Sequence, residues 1–241
     1  MLELKGVSWK TPDGVGVLDG LDLTVPDGKL VVITGPNGGG KTTLAKIIAG
    51  IYKQDKGQII LDGKDISDLD ITERSKLGIS FAFQQPVRFK GITVKKLLEI
   101  AANRKMPEKE MCEILSKVGL CAAEYLKREV NSTLSGGEIK RIEIATVLAR
   151  NTKITVFDEP EAGIDLWSFA SLTHTFEEMR KNLNGTIIII SHQERILQIA
   201  DEIAVVANGK IKSSGSADRM MGTLLKGTEK AVKCPKQEEL F

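Results

Sequence analysis

The sequence contains few cysteines, histidines and aromatic residues. Among its 241 residues are three cysteines and two histidines, and aromatic side chains make up 5% of the chain. Cys112, Cys121 and Cys234 are widely spaced and form no C-x-x-C pair, which argues against a self-contained zinc or iron-sulfur site and is typical of a reducing compartment. We therefore expect a cytoplasmic protein that does not ligate such a metal by itself.

Long apolar runs and a strong excess of one charge are also absent. No apolar run approaches the about 20 residues that a membrane helix needs, and residues 1–5 alternate and carry an acid, unlike a secretory signal. The 34 basic and 32 acidic residues give a net charge of only +2, so the overall charge gives no argument for a nucleic-acid partner. The sequence predicts neither nucleic-acid binding nor direct membrane insertion.

The apolar pattern changes near residue 30. Residues 1–30 largely alternate apolar and polar side chains, which predicts half-buried antiparallel strands. Continuous apolar runs follow at 30–33, 154–157, 186–190 and 203–206. Such runs suit strands covered on both faces, and helical patterns lie between them. The predicted fold class is therefore α/β, with a parallel sheet core behind an N-terminal antiparallel β subdomain.

The middle of the chain lacks a strong strand pattern and contains an amphipathic helix pattern, which predicts a small helical lobe. The apolar side of that helix comprises Met111, Ile114, Leu115 and Val118. Further on, Asn208-Gly209 predicts a two-residue hairpin turn. We expect a single domain over 1–241, divided into a catalytic lobe at 1–85 and 134–225, the helical lobe at 86–133 and a tail at 226–241.

The first chemical motif lies between a predicted strand and a predicted helix. It matches G-x-x-x-x-G-K-[ST], and its glycines let successive backbone N–H groups point at phosphate oxygens. Lys41 would then lie against the β and γ phosphates, and Thr42 would ligate Mg²⁺. The alternative is a turn that only caps a helix, but the flanking elements favour a nucleoside triphosphate site. The motif consists of Gly35, Pro36, Asn37, Gly38, Gly39, Gly40, Lys41, Thr42 and Thr43.

A pair of acids, Asp158 and Glu159, ends the apolar run at 154–157. In a doubly wound sheet this strand end lies beside the phosphate loop. There Asp158 can hold Mg²⁺, and Glu159 can orient the attacking water and accept its proton; the alternative is a solvent-facing pair. His192 follows the run at 186–190 in the same way, so it could donate a hydrogen bond to the γ phosphate.

A second glycine-rich turn, formed by Ser135, Gly136 and Gly137, precedes a predicted helix. A serine and glycines at a helix start make an anion-binding N-terminus, although a plain N-cap explains the pattern equally well. Because one triphosphate needs only one loop, we interpret this turn as recognising the γ phosphate of a nucleotide on another subunit.

Taken in order, these motifs resemble those of the ATP-binding cassette (ABC) ATPases over roughly residues 1–225. The resemblance implies the ABC ATPase fold and ATP hydrolysis, with ATP and Mg²⁺ bound. It also implies that Gln84 completes the coordination of Mg²⁺ and water, that Asp165 links two subunits and that His192 contacts the γ phosphate. Two ATP molecules would be sandwiched in an ATP-dependent head-to-tail homodimer.

Within that family, the segments 71–74, 81–92, 158–165 and 191–197 resemble the SufC-type ATPases of iron-sulfur cluster assembly. This implies a SufB or SufB/SufD-like scaffold as the partner, remodelled as ATP closes and reopens the dimer. A transporter's ATPase subunit and an ATP-gated switch without turnover are the alternatives. Docking is expected on residues 85–96, with the exposed candidates Arg88, Phe89 and Lys90.

The aromatic residue that usually stacks on adenine in this family has no exact counterpart. Trp9 lies short of that place, which Thr11 occupies. Trp9 is therefore either the adenine contact or a core residue.

Overall fold

The computed structural model describes residues 1–84, 89–182 and 185–222, without the side chains of 166–168 and 182. Its strands are β1 (Leu2–Lys10), β2 (Gly16–Val25), β3 (Leu30–Thr34), β4 (Lys56–Leu61), β5 (Lys64–Asp65), β6 (Ile79–Ala82), β7 (Ile154–Asp158), β8 (Thr186–Ile190), β9 (Glu202–Ala207) and β10 (Lys210–Ser216). Its helices are α1 (Lys41–Ala49), α2 (Ile71–Lys76), α3 (Val94–Ala102), α4 (Glu108–Lys117), α5 (Ala122–Tyr125), α6 (Gly136–Arg150), α7 (Leu166–Asn182) and α8 (Glu194–Gln198).

The strands form two sheets. The N-terminal sheet has the order β2-β1-β4-β5 and is antiparallel throughout. The other has the order β10-β9-β3-β8-β7-β6, in which all neighbours are parallel except β10, which pairs antiparallel with β9 at the edge. The predicted α/β class, with an antiparallel subdomain beside a parallel core, is confirmed.

The central parallel strands are apolar throughout because their two faces meet different cores. In β3, Leu30 and Val32 belong to one hydrophobic cluster, and Val31 and Ile33 belong to the other. Burial of each such side chain contributes about 1.5–3 kcal/mol. The four isoleucines of β8 divide between the clusters in the same way. Packing on both faces therefore fixes the strand ends from which the phosphate loop and the His192 loop emerge.

The helices α3, α4 and α5 form the small helical subdomain next to α6. The predicted apolar side of α4 is buried, with Met111, Ile114 and Leu115 all in the larger core. Between 89 and 133 the only strand-like pairing is an isolated bridge between Thr93 and Glu129. The helical character expected from the amphipathic pattern is thus present along the described part of this stretch.

Three strands, β4, β5 and β6, were not predicted. Only the last three residues of β4 are apolar, β5 has two polar residues, and Ser80 interrupts the apolar residues of β6, so none of them produces a long apolar run. The Asn208-Gly209 turn joins β9 to β10 as expected, with φ angles of 52° and 71°. The expected tail at 226–241 and the docking residue Arg88 lie outside the described residues. No helix in the described parts is long and apolar enough to cross a bilayer.

Candidate functional site

The phosphate loop joins β3 to α1 and needs glycine for two separate reasons. Gly35, Gly38 and Gly40 have φ angles of 135°, 75° and 103°, which side-chain-bearing residues rarely adopt. At Gly35 a Cβ atom would also lie only 2.0 Å from the carbonyl oxygen of Val206 in β9. The neighbouring strand therefore holds the loop in this shape.

The first turn of α1 faces the cavity above this loop. Gly40 precedes the helix in a left-handed conformation, and no side chain caps the first N–H groups. Such an uncapped N-terminus favours an anion. Lys41, only 6% exposed, donates from Nζ to the carbonyl oxygens of Gly35 and Pro36 at 2.8 and 3.0 Å. Its ammonium group is thus held over the loop, where a phosphate can accept a hydrogen bond from it.

Thr42 and Asp158 meet at the edge of this cavity. Thr42 Oγ1 donates to Asp158 Oδ1 at 3.1 Å, and Asp158, at the end of β7, is 2% exposed. Burial raises the pKa of the Asp158 carboxyl group, while the Thr42 hydrogen bond opposes that shift. Hydroxyl and carboxylate oxygens suit Mg²⁺, which usually takes only one or two carboxylates together with phosphates and water. This donor set therefore fits the metal, although no cluster of three acidic, histidine or cysteine ligands occurs in the described chain.

Glu159 and Gln84 lie within hydrogen-bonding distance although 75 residues separate them. Gln84 Nε2 donates to Glu159 Oε2 at 2.6 Å. Glu159 has a φ of 44°, a conformation that stores strain and is found mainly at functional positions. Its backbone N–H donates to the carbonyl oxygen of Ile190 at the end of β8. The two side chains predicted to handle the attacking water are therefore neighbours.

A cavity of about 430 Å³ opens over the phosphate loop and Glu159. It brings together the phosphate loop, Glu159 and His192, as the sequence predicted. Its lining also includes Val17 at the start of β2, which was not predicted because an aliphatic residue in a strand gives no chemical signal. The lining residues are Val17, Asn37, Gly38, Gly40, Lys41, Thr42, Thr43, Glu159 and His192.

The second glycine-rich turn does not line this cavity. Ser135 caps α6, since its Oγ accepts from the N–H of Glu138 at 3.2 Å, and Glu138 in return accepts from the N–H of Ser135. Ser135 and Gly136 are exposed. Asp165, just before α7, is also exposed and outside the cavity lining. Within one chain the turn is thus an N-cap whose polar groups face outward.

Glu138 fixes the shape of that turn. Burial alone would raise the pKa of its carboxyl group, but hydrogen bonds from Tyr125 and from both the backbone and the side chain of Ser135, together with nearby Arg128, lower it to about 2. Tyr125 belongs to α5, and its hydroxyl group donates to Glu138 Oε1. The helical subdomain therefore holds the start of α6 through a carboxylate.

A buried ion pair that the sequence did not predict lies behind Gln84. Lys140, 1% exposed, pairs with Glu143 Oε2 at 2.9 Å, and Glu143 Oε1 accepts from the N–H of Phe83 at 3.0 Å. A lysine and a glutamate three residues apart on a helix usually form a solvent-exposed pair. The available signal was the apolar neighbours of Lys140 on α6.

Trp9 does not reach the cavity lining. Its ring stacks on Tyr52, with centroids 4.8 Å apart and planes at 2°, and both rings pack against the smaller core. Of the two interpretations of Trp9, the structure supports the core residue. Thr11 does not line the cavity either.

Comparison with known proteins places this geometry in a family. The family model described as "ABC transporter" matches residues 18–162. An uncharacterized ABC transporter ATP-binding protein of Methanocaldococcus jannaschii is 40% identical over 83% of this chain and 82% of its own length. The sulfate/thiosulfate import ATP-binding protein of Synechocystis is 36% identical over 84% of this chain, which covers 57% of that protein's length.

Solved structures agree with the sequence comparison. The dimeric structure of a post-hydrolysis state of an ATP-binding cassette, bound to ADP and Pi, superposes with a TM-score of 0.79 at 25% identity, covering 90% of this chain and 99% of that one. Fold and site together define an ATPase with a phosphate-binding loop. The chain belongs to the ABC transporter family, whose ATPase domain binds and hydrolyses ATP.

Proposed function

We propose that this chain is the ATP-hydrolysing subunit of a membrane transporter. The main support is an apolar groove of about 220 Å³ beside Gln84. A partner bound in this groove would lie next to Gln84, whose side chain contacts Glu159. Both relatives are named as transporter or import ATP-binding proteins, which supports a membrane partner. The groove is lined mainly by Phe81, Phe83, Phe89, Leu97, Ile100 and Val130.

In this proposal hydrolysis is water attack on the γ phosphate, catalysed by positioning and electrostatic stabilisation. The phosphate loop, from Gly35 to Thr43, binds the polyphosphate. Glu159 accepts the proton of the attacking water, and Gln84 and His192 orient the water and the γ phosphate. Thr42, Asp158 and Gln84 would hold Mg²⁺, which when bound neutralises phosphate charge.

A head-to-tail dimer completes the site. Ser135 and Gly136 are exposed at the start of α6, so the turn they form with Gly137 can meet a nucleotide on a second copy. Asp165 would join the two copies. The dimeric structure of the solved cassette with ADP and Pi supports this arrangement.

A second candidate partner is a SufB or SufB/SufD-like scaffold for iron-sulfur clusters. It is supported by the resemblance of the segments 71–74, 81–92, 158–165 and 191–197 to SufC-type ATPases. This reading gives the chain the same ATP chemistry in a cytoplasmic complex. The two candidates differ only in what occupies the groove. Of the expected docking residues 85–96, Phe89 is partly buried and lines the groove.

The catalytic part is tested with Glu159→Gln. Loss of the proton acceptor should lower the ATPase rate by about 10²-fold or more, while ATP binding persists and a dimer accumulates during size-exclusion chromatography with ATP. Glu177→Gln, at a partly exposed residue of α7, is the matched control and should leave the rate unchanged. A Glu159→Gln variant with the rate of the unmodified protein contradicts the proposed role.

The partner is tested by purifying the chain from its own cells under anaerobic conditions, with and without detergent. Recovery of a multi-span protein only in detergent supports the transporter, whereas a brown detergent-free complex supports the cluster scaffold. Ile100→Asp introduces a charge at an exposed groove residue and should abolish capture without changing ATP binding. Unchanged capture by this variant argues against the groove.

A further inference from the structure

Glu161 is a partly buried acid that the hydrolysis chemistry above does not use. Its Oε1 accepts a hydrogen bond from the hydroxyl group of Ser191 at 2.5 Å, and Ser191 is fully buried. Its Oε2 is also buried and has no hydrogen-bond partner in the described chain. A carboxylate in such a place is energetically unfavourable, and buried unpaired polar atoms are rare enough to require an explanation.

The hydrogen bonds of Ser191 fix the backbone on both sides of His192. Ser191 Oγ accepts from the backbone N–H of Gln193 at 3.0 Å, and the N–H of Ser191 donates to the carbonyl oxygen of Ile33 in β3. The residues on both sides of His192 are therefore fixed, while His192 itself is exposed to the cavity. Glu161 is the side chain that holds the Ser191 hydroxyl group in this arrangement.

Glu161 also lies on the loop that leads from Glu159 to α7. That loop contacts the second glycine-rich turn of the same chain, since a Cβ atom on Gly136 would lie 3.5 Å from the carbonyl oxygen of Gly163. The Glu161–Ser191 hydrogen bond thus joins the His192 loop to a segment that touches the turn at Gly136. Burial raises the pKa of Glu161, while the Ser191 hydrogen bond and the nearby His192 oppose that shift.

We propose that Glu161 is a positioning residue that sets the orientation of His192 through Ser191. The inference rests on the proposed role of His192 at the γ phosphate. What Glu161 must provide is a hydrogen-bond acceptor of the correct length. A negative charge is not required, so glutamine should replace it and alanine should not.

Steady-state kinetics tests this requirement. Glu161→Ala should lower kcat by about tenfold or more with KM for ATP changed less than about twofold, because binding groups are untouched. Glu161→Gln should restore most of the turnover. Ser191→Ala should match Glu161→Ala, and the double variant should be no slower than either single variant, because both substitutions break one hydrogen bond. Additive losses, or a Glu161→Gln variant as slow as Glu161→Ala, overturn the proposal.

The two histidines of the chain allow a readout that a merely structural role would not move. In the full chain labelled with ¹³C-histidine, Glu161→Ala should shift the imidazole resonance of His192 and leave that of His174 in place. Glu177→Ala is the mirror-image control, because Glu177 lies 3.5 Å from His174 Nδ1; it should shift the His174 resonance only. An unmoved His192 resonance in Glu161→Ala overturns the proposal.

The His192→Ala variant distinguishes a failure of this inference from a failure of the proposed role of His192 in ATP hydrolysis. If His192→Ala abolishes turnover while Glu161→Ala does not, the positioning role of Glu161 is wrong and the proposed hydrolysis chemistry stands. If His192→Ala retains turnover, the proposed role of His192 is wrong and the inference is rejected with it.

Discussion

Lys140 Nζ donates a hydrogen bond to the backbone carbonyl oxygen of Phe83 at 2.5 Å. The adjacent Glu143 accepts from the N–H of the same residue, so both backbone polar groups of Phe83 are held by α6. Gln84 follows directly and contacts Glu159. The helix that begins at the second glycine-rich turn therefore fixes the backbone from which Gln84 extends.

Lys140→Met should destabilise the protein and slow hydrolysis. Methionine has a similar volume, but it leaves Glu143 without its cation and the Phe83 carbonyl group without its donor. Breaking a buried pair in this way costs about 3 kcal/mol or more, measurable as a fall in the free energy of unfolding in urea. The ATPase rate should fall in the same variant, because the backbone next to Gln84 is no longer held in place by Lys140.

Lys109→Met is the matched control for this prediction. Lys109 lies on α4 and is exposed, so the same charge is removed without a buried partner, and we expect unchanged stability and rate. A Lys140→Met variant as stable as Lys109→Met argues against the importance of the pair.

Arg74 stabilises the phosphate-loop helix from its far end. It is 1% exposed, and its guanidinium group donates to the carbonyl oxygens of Ile47 and Ile48 at 2.5 and 3.1 Å, near the C-terminus of α1. Burial lowers its pKa. Arg74→Ala should cost about 3 kcal/mol of unfolding free energy, because it removes the buried donors to these two carbonyl oxygens and a cation from the negative end of the helix dipole.

Arg104→Ala provides the comparison for Arg74→Ala. Arg104 pairs with Glu110 on the surface, and exposed pairs of this kind contribute little. We expect its urea midpoint to match that of the unmodified protein. Equal midpoints for Arg74→Ala and Arg104→Ala contradict the assignment to α1.

The sequence predicted the strands that are buried on both faces and missed those whose apolar residues form no long run. β3 and β8 are visible as unbroken apolar runs because both of their faces meet hydrophobic cores. β6 and β4 are not visible, since each is stabilised by pairing with a distant strand, β7 or β1. The local pattern of apolar residues indicates which side chains are buried, whereas strand pairing depends on contacts between residues that are remote in sequence.

The residues of the candidate site also differ in how well the sequence predicted them. Lys41, Thr42 and Asp158 were identified because each belongs to a motif whose spacing requires that residue type. Lys140 and Glu161 were not assigned roles, because their contacts join segments 57 and 30 residues apart. Residues that belong to a sequence motif are thus easier to predict than those that hold other residues in position.

Glu138 makes the start of α6 sensitive to acid. The pKa of its carboxyl group falls from 4.5 to about 2 in the folded chain. A group whose pKa is lowered by folding stabilises the protein above its unfolded pKa, and that contribution disappears as the pH falls towards the folded pKa. Above about pH 5 we expect Glu138→Gln to cost about 1–2 kcal/mol, less than the full linkage value because the side chain is partly exposed.

This difference should shrink as the pH is lowered from about 5 to about 3, where the carboxylate begins to bind a proton in the unfolded chain. Urea unfolding of both proteins across this range measures it. Glu124→Gln, an exposed acid on α5, should show no such trend. A constant difference between the unmodified protein and Glu138→Gln at every pH contradicts the prediction.

Trp9 should contribute to stability and not to nucleotide affinity. Its ring is engaged by Tyr52, and the side chain in the cavity lining at this end is Val17. Trp9→Ala should therefore lower the free energy of unfolding by about 2 kcal/mol, since a large, half-buried ring is lost, and Trp9→Phe should recover much of it. The Kd for ATP, measured by calorimetry, should change less than about twofold in Trp9→Ala and more in Val17→Ala. A selective loss of ATP affinity in Trp9→Ala, without loss of stability, would contradict this prediction. It would mean that the Trp9 ring leaves Tyr52 and contacts the adenine of ATP.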